Sequence, residues 1–138
     1  MDWSETTSER LRRVTVATLK AIGENPKVEV TYSSGIDAQI SNSGADVRLP
    51  NPKEPNLTEH DVTYLRGTAD AVALRIRYHD NKIHRRLRPS GNDAARVFER
   101  AEQVRVESIG CMQLPGVEKN ISAMVESGCN ANASDLTK

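Results

Sequence analysis

The chain has 138 residues, its 19 Lys and Arg residues balance 19 Asp and Glu residues, and 37% of its residues are hydrophobic. The length predicts one domain of ordinary size, no apolar run approaches the roughly 20 residues that cross a bilayer, and the N-terminus lacks the basic and apolar regions of a secretory signal. We therefore exclude integral membrane, collagenous and disulfide-scaffold proteins and expect a cytoplasmic protein with no membrane contact.

The first helix is predicted to begin after Thr6. Thr6 and Glu9 have the spacing of a capping box, in which each side chain accepts a bond from the other residue's backbone amide. Apolar residues then recur at helical spacing from Leu11 to Ile22. Gly23 is predicted to take the left-handed conformation that ends many helices.

Three short segments are predicted to form strands. Residues 27–32 alternate apolar and polar side chains, as a half-buried strand does. Residues 36–40 and 46–49 are weaker candidates, and the serine- and glycine-rich turns between them favour a small antiparallel sheet over residues 27–49. The prolines within residues 50–55 predict an extended connector, because proline lacks an amide donor.

The second helix has the strongest signal. Thr58 and Asp61 form an approximate capping box, and one apolar stripe continues to about Tyr78. Gly67 lies within this helix, where glycine costs up to about 1 kcal/mol relative to alanine. We therefore expect Gly67 to mark a place where another element packs closely.

Two further helices are predicted, from about Asp93 to Gly110 and from Pro115 to about Val125. Residues 127–138 lack apolar periodicity and are predicted to form a disordered tail. The sequence thus predicts one helix-dominated α+β domain, residues 1–126, with four helices and a small antiparallel sheet. Its core is expected to come from the apolar faces of the first three helices.

The sequence lacks the standard catalytic and nucleotide-binding signatures. It contains no GxxxxGK(S/T), GxGxxG, HExxH, GxSxG or DxSxS pattern. Cys111 and Cys129 lack the CxxC spacing of zinc and thioredoxin-type sites, so we predict free thiols in a reducing compartment. No catalytic residue and no bound cofactor are predicted.

Two histidines and two glutamates are candidates for a Co²⁺ or Zn²⁺ site, since imidazole and carboxylate both bind such ions. They are His79, His84, Glu102 and Glu107. The five-residue spacing places the two rings about 140° apart on a helix and on opposite faces of a strand, so only a turn between them would let both converge. Two interpretations are therefore open. Either these residues form a metal-handling site, or the two histidines are solvated or cap helices and bind no metal.

Residues 82–105 carry a net charge of +4, which the rest of the chain balances with −4. Within this block Lys82–Arg88 is strongly basic, and arginine forks match carboxylate and phosphate groups. The segment lacks the interleaved aromatic residues that stack nucleic-acid bases. An acidic protein or ligand is therefore the expected partner, and nucleic acid is not. The alternatives are a solvated edge or internal pairing with Glu99, Glu102 and Glu107.

The third predicted helix interrupts its apolar stripe with arginine and glutamate. Glu102 and Arg105 are three residues apart and can pair on one helix face. These charges are expected either to form a buried network or to face a partner.

Several segments of the second half carry a family pattern. They are Ala73–Arg75, His79–Leu87, Pro89, Gly91, Ala95–Phe98, Glu102–Gly110 and Gly116–Ile121. Together they resemble the amino-terminal domain of the T subunit of aerobic cobaltochelatase, and a looser resemblance extends over about residues 8–125. The block His79–Leu87 with Glu102–Gly110 is the most specific part.

The resemblance implies a subunit of a multi-subunit enzyme of cobalamin biosynthesis that uses ATP hydrolysis to insert cobalt into hydrogenobyrinic acid a,c-diamide. In this family the N subunit binds the corrin, the S subunit is the AAA+ ATPase, and the T subunit pairs with S. Cobalt and Mg-ATP are used by the whole complex, and neither is expected to bind this chain. The family continues into an acidic linker and a von Willebrand A-type domain that this sequence lacks, so we expect a fragment or a truncated gene product.

By resemblance the chain is expected to be a non-catalytic assembly domain that binds the S or the N subunit. The expected partner-binding residues are His79, His84, Arg85, Arg86, Glu102, Arg105 and Glu107. The alternative to assembly, besides the metal-handling site, is a purely structural domain of an inactive gene product. In that case the arginines and glutamates form an internal network, and Arg85→Ala or Arg105→Ala unfolds the domain.

Overall fold

A computed structural model describes the backbone of residues 4–135 and the side chains of residues 4–129. Within these residues the chain forms five helices and three strands. The elements are α1 Thr7–Ile22, β1 Glu29–Ser33, β2 Gln39–Ile40, β3 Asp46–Pro50, α2 Glu59–Tyr78, α3 Asn81–Leu87, α4 Asn92–Gln113 and α5 Pro115–Asp135. The predicted class, a helix-dominated α+β domain, is confirmed.

Both predicted capping boxes are confirmed, and they fix where α1 and α2 begin. The Thr6 amide donates to Glu9 Oε2 at 2.7 Å, and the Glu9 amide donates to Thr6 Oγ1 at 3.2 Å. The Thr58 amide donates to Asp61 Oδ2 at 3.0 Å, and the Asp61 amide donates to Thr58 Oγ1 at 3.1 Å. Each box satisfies amides that the first helical turn leaves without an intrahelical partner.

The end of α1 differs from the prediction, because Gly23 is not in the left-handed conformation. Gly23 has φ −70°, and Glu24 takes the positive φ of 51° instead. A Cβ on Gly23 would lie 3.0 Å from the Leu19 carbonyl oxygen and 3.5 Å from that of Ala73. Glycine is therefore used here for close packing of the end of α1 against α2.

The sheet is mixed, which corrects the predicted antiparallel arrangement. The strand order is β1-β3-β2, with β1 parallel to β3 and β2 antiparallel to β3. Residues 34–38 carry the chain past β3 to its far edge, and a tight turn at Ser41–Gly44 then reverses it. Alternating polarity identifies the buried face of a strand but not the direction of its neighbour, so the sequence could not distinguish the two arrangements.

Helix α2 is the centre of the domain. Every residue from Gly67 to Leu74 is buried, although the sequence pattern predicts burial of one stripe only. One side of α2 packs against α1 and the sheet, and the other packs against α4 and α5. The first cluster contains Leu19, Val28, Val47, Leu49, Leu65, Ala69, Val72 and Ala73, and the second contains Ala71, Leu74, Val106, Val117 and Ile121.

Two glycines let the helices approach α2 closely. A Cβ on Gly67 would lie 2.5 Å from Met124 Cβ and 2.8 Å from the Asn120 carbonyl oxygen, which confirms the predicted close packing. On α4, a Cβ on Gly110 would lie 2.1 Å from a methyl carbon of Leu74. Alanine fits at neither position without movement of its neighbours.

Helix α4 contributes less to the core than predicted. Its buried residues are Ala95, Val106 and Gly110, while Val97 is 70% exposed. Helix α5 covers the second side of α2 in its place and buries Val117 and Ile121. Apolar residues at helical spacing show that one face of a helix is apolar. They do not show how much of the core that helix provides.

The C-terminal part also differs from the prediction. Helix α5 continues to Asp135, past the start of the disordered tail predicted for residues 127–138. Residues 136–138 lie outside the described residues. The basic segment, for which the sequence predicts no helix, forms α3. No helix in the described residues is long and apolar enough to span a membrane.

Candidate functional site

The end of α2 and the middle of α4 are joined by a charged network. Nδ1 of His79 donates to Glu102 Oε1 at 2.8 Å, and these side chains are only 8% and 14% exposed. The other ring nitrogen of His79 lies 3.0 Å from Asn81 Oδ1. Arg105 donates to both Glu102 oxygens, at 2.7 and 2.8 Å, and to the Tyr78 carbonyl at 2.9 Å. This network fixes the chain direction between α2 and α3.

A second pair attaches α3 to α4. Nε2 of His84 donates to Glu99 Oε2 at 2.7 Å, and Arg75 of α2 also donates to Glu99. The His84 ring lies 4.7 Å from the Phe98 ring and 4.7 Å from the His79 ring, between centroids. Three helices thus meet at two histidines, and each histidine has its own glutamate.

The network keeps its carboxylates ionised. Hydrogen bonds from Arg105, and then from His79, lower the pKa of Glu102 from its ordinary 4.5 to about 2, although partial burial opposes this. Burial also opposes ionisation of Glu99, but the bond from His84 and the charge of Arg75 outweigh it and lower its pKa. Carboxylates with such low pKa values are weak general bases at neutral pH, and their contacts suit a structural role.

The structure divides the seven residues predicted as one partner-binding face. His79, His84, Glu102 and Arg105 belong to the network, and their side chains contact α2, α3 and α4. Glu107 accepts a bond from Gln103 Nε2 at 2.7 Å, one turn further along α4. The two others, Arg85 and Arg86, are exposed on α3.

The two candidate histidines converge, with ring centroids 4.7 Å apart, but the four candidate ligands do not form one cluster. His79 faces Glu102, His84 faces Glu99, and Glu107 bonds a glutamine. Within the part of the chain that the structure describes, no group of three or more His, Cys, Asp or Glu side chains could hold a metal ion.

The outer side of α3 carries cations together with apolar residues. We define the α3 surface as the exposed residues Lys82, Ile83, Arg85, Arg86 and Leu87. Ile83 is 49% exposed and Leu87 is 59% exposed. Asp80 caps the helix, accepting bonds from the amides of Lys82 at 2.9 Å and Ile83 at 3.0 Å.

The cations of the α3 surface form no ion pair among the described residues. The sequence left open that the segment Lys82–Arg88 pairs internally with the glutamates of α4. This holds for His84, which pairs with Glu99, and not for the cations of the α3 surface. Glu99 and Glu102 pair with residues of the network, and Glu107 bonds Gln103. The α3 surface therefore keeps its positive charge toward solvent.

A cavity of about 630 Å³ lies beside the network, between the β2–β3 turn and helices α2, α3 and α4. Its wall includes Asn42, Arg75, Asn81, Arg85 and Gln103. Sequence reasoning gave Arg75, Asn81 and Gln103 no role in the site, although all three bond within it. Asn81 also donates to the Asn42 carbonyl, which attaches α3 to the sheet turn.

These features define a small helix-dominated α+β domain in which a charged network holds an exposed basic helix. The family described as cobalamin biosynthesis protein CobT matches residues 5–137 of the chain. The chain therefore belongs to the CobT family, and it has a role in cobalamin biosynthesis. No solved structure matches it.

Proposed function

We propose that the chain is an assembly domain of an ATP-dependent cobaltochelatase, which inserts cobalt into hydrogenobyrinic acid a,c-diamide. Membership of the CobT family supports this proposal. In the proposed complex the AAA+ ATPase S subunit and the corrin-binding N subunit are the partners, and cobalt is a substrate of the whole assembly. This domain supplies a docking surface and no catalytic side chain.

The observation that carries the proposal is the α3 surface. Three cations and two apolar side chains face solvent on a helix of seven residues. Guanidinium groups form strong paired hydrogen bonds with carboxylates, and Ile83 and Leu87 add apolar contact area. We propose that this surface binds an acidic region of the S subunit.

The network holds α3 in a fixed position before any partner binds. His84 contacts α4 on the inner side of α3, and Asp80 caps its first turn. A side chain on a fixed helix loses less conformational freedom on binding than one on a mobile loop. The buried pairs thus support binding indirectly, by holding Arg85 and Arg86 in place.

The experiment is a binding titration of the chain with the purified S subunit, with the N subunit measured in parallel. Arg85→Glu with Arg86→Glu should weaken binding to S at least tenfold, because the charges of the α3 surface are reversed. The matched control is Lys27→Glu with Arg48→Glu, which makes the same charge change at two exposed residues outside α3. The control pair should bind with the affinity of the unchanged chain.

Circular dichroism should show that both double variants fold, since all four side chains are exposed. Added salt should weaken the binding of the unchanged chain, because exposed charges are screened. The proposal fails if the unchanged chain binds neither subunit. It also fails if the Arg85/Arg86 variant binds S as tightly as the control does.

A further inference from the structure

The outward side of α4 carries a stripe of small and apolar residues with alternating spacings of three and four. This outer stripe consists of Ala94, Val97, Ala101, Val104 and Ser108. All five are exposed, Val97 by 70% and Val104 by 47%. Such spacing is the seam pattern of helices that pack along one another. The stripe is about 21 Å long at 1.5 Å per residue.

The outer stripe is on the far side of α4 from the core. The buried residues Ala95, Val106 and Gly110 lie on the opposite helix face, at 3.6 residues per turn. Helix α3 contacts α4 through Glu99, which lies away from the stripe, and through Phe98, which flanks it on the side opposite Arg100 and Glu107. Nothing in the described residues covers it.

The charges beside the stripe indicate what covers it. Arg100 and Glu107 flank it on the same side, seven residues apart. Within residues 4–129, Arg100 is exposed and has no ion-pair partner, and the side chain of Glu107 bonds only the neutral amide of Gln103. A separation of about 10 Å along the helix prevents Arg100 and Glu107 from pairing within one chain.

Two antiparallel copies of α4 satisfy both charges. With Ala101 of one copy opposite Val104 of the other, Val97 lies opposite Ser108, so each layer joins a larger side chain to a smaller one. In an antiparallel helix pair, a given side of one helix lies beside the same side of its partner. Arg100 of each copy then faces Glu107 of the other. A parallel pair would instead bring Arg100 beside Arg105, and like charges repel.

We propose that a second copy of this chain covers the outer stripe, with the two α4 helices antiparallel about a two-fold axis near residues 102–103. The contact is a single helix pair, so its area is at the small end of specific interfaces. The dimer is therefore expected to dissociate on dilution. The proposal is independent of the α3 surface and its partner.

The test measures the mass of the chain by sedimentation equilibrium across a wide concentration range. The unchanged chain should show a monomer–dimer equilibrium, and Val104→Glu should shift it to monomer. Val14→Glu is the matched control, because Val14 is a valine on α1 with nearly the same exposure, 48% against 47% for Val104. This control should leave the equilibrium unchanged.

The charge pair gives the second part of the test. Arg100→Glu alone and Glu107→Arg alone should each weaken dimerisation several-fold, and the double variant should restore it. A chain that is monomeric at every concentration overturns the proposal. So does a dimer that Val104→Glu leaves intact, or one that the double variant fails to restore, since either result places the contact or its direction elsewhere.

Discussion

Nδ1 of His79, at the end of α2, lies 2.8 Å from Glu102 Oε1 on α4, and both side chains are almost buried. The two residues are 23 positions apart in the chain. Their contact, extended by Arg105, joins the central helix to α4 and sets the position of α3. Four of the seven residues that the sequence predicts as a docking face therefore hold in place the helix that carries two others, Arg85 and Arg86.

Glu102→Gln should lower the free energy of unfolding by about 1–3 kcal/mol at pH 7. The amide keeps the size of the side chain but loses the charge that accepts bonds from His79 and Arg105. Urea unfolding followed by circular dichroism measures the change. The matched control is the same substitution at the exposed residue Glu126 on α5. Glu126→Gln should change stability by less than about 0.5 kcal/mol.

The contribution of Glu102 should depend on pH in a defined direction. Its pKa is about 2 in the folded chain against an ordinary 4.5. The ionised Glu102 carboxylate therefore stabilises the folded chain. This contribution is complete above the pKa of the residue in the unfolded chain, about 4.5, and is lost as the pH falls from there to about 2. The difference in unfolding free energy between the unchanged chain and Glu102→Gln should narrow over that interval. A constant difference would contradict the assignment.

Arg105→Ala and Arg85→Ala should behave differently. Arg105 donates to Glu102 and to the Tyr78 carbonyl, so its loss should destabilise the domain by about 1–2 kcal/mol. Arg85 makes one long bond, 3.3 Å, to the Asn81 carbonyl, and its replacement should change stability by less than about 0.5 kcal/mol. Thermal unfolding of both variants measures this. Unfolding of both would instead support a purely structural domain.

Gly67→Ala should destabilise the domain by about 1–3 kcal/mol, as overpacking does. The new methyl group would meet Met124 Cβ and the backbone oxygen of Asn120, and a backbone atom on a packed helix moves little. Gly128→Ala on α5 is the matched control, because nothing lies within 4 Å of a Cβ there. The control should be neutral or stabilise by up to about 1 kcal/mol through helix propensity. Equal effects would show that α2 and α5 are not in close contact.

Asn120→Ala should destabilise the domain more at neutral pH than in acid. Asp70 is 3% exposed and accepts a bond from Asn120 Nδ2 at 2.7 Å. Burial raises the pKa of Asp70 in the folded chain. Protonated Asp70 therefore favours the folded state. This contribution to the free energy of unfolding is complete below the pKa of Asp70 in the unfolded chain and is lost as the pH rises through its pKa in the folded chain.

The Asn120 donor stabilises the ionised carboxylate more than the protonated carboxyl, because a bond to a charged acceptor is stronger. The loss should therefore reach about 1–3 kcal/mol at pH 7 and be smaller near pH 3.5. Urea unfolding at both pH values measures it, with the exposed neighbour variant Lys119→Ala as the control. A loss independent of pH would mean that Asn120 supports the fold by packing alone.

Local signals in the sequence were enough for the helix starts and for the family. The boxes at Thr6 and Thr58 involve residues three positions apart, so their chemistry is complete within a few residues. The glycine at position 67 indicated close packing because an interior glycine weakens a helix unless something needs the space. The resemblance of the second half agrees with the family that matches residues 5–137.

Only the tertiary structure decided two features of the fold. One is the pairing of β1 with β3, and the other is the share of the core that α4 and α5 each provide. Both depend on which elements meet across long chain separations, and periodicity records only which face of an element is apolar. The same holds for the charges. The sequence indicated the local pair of Glu102 with Arg105. Only the packing of α2 and α3 on α4 assigned the glutamates to His79, His84 and Arg75 and left Arg85 and Arg86 facing solvent.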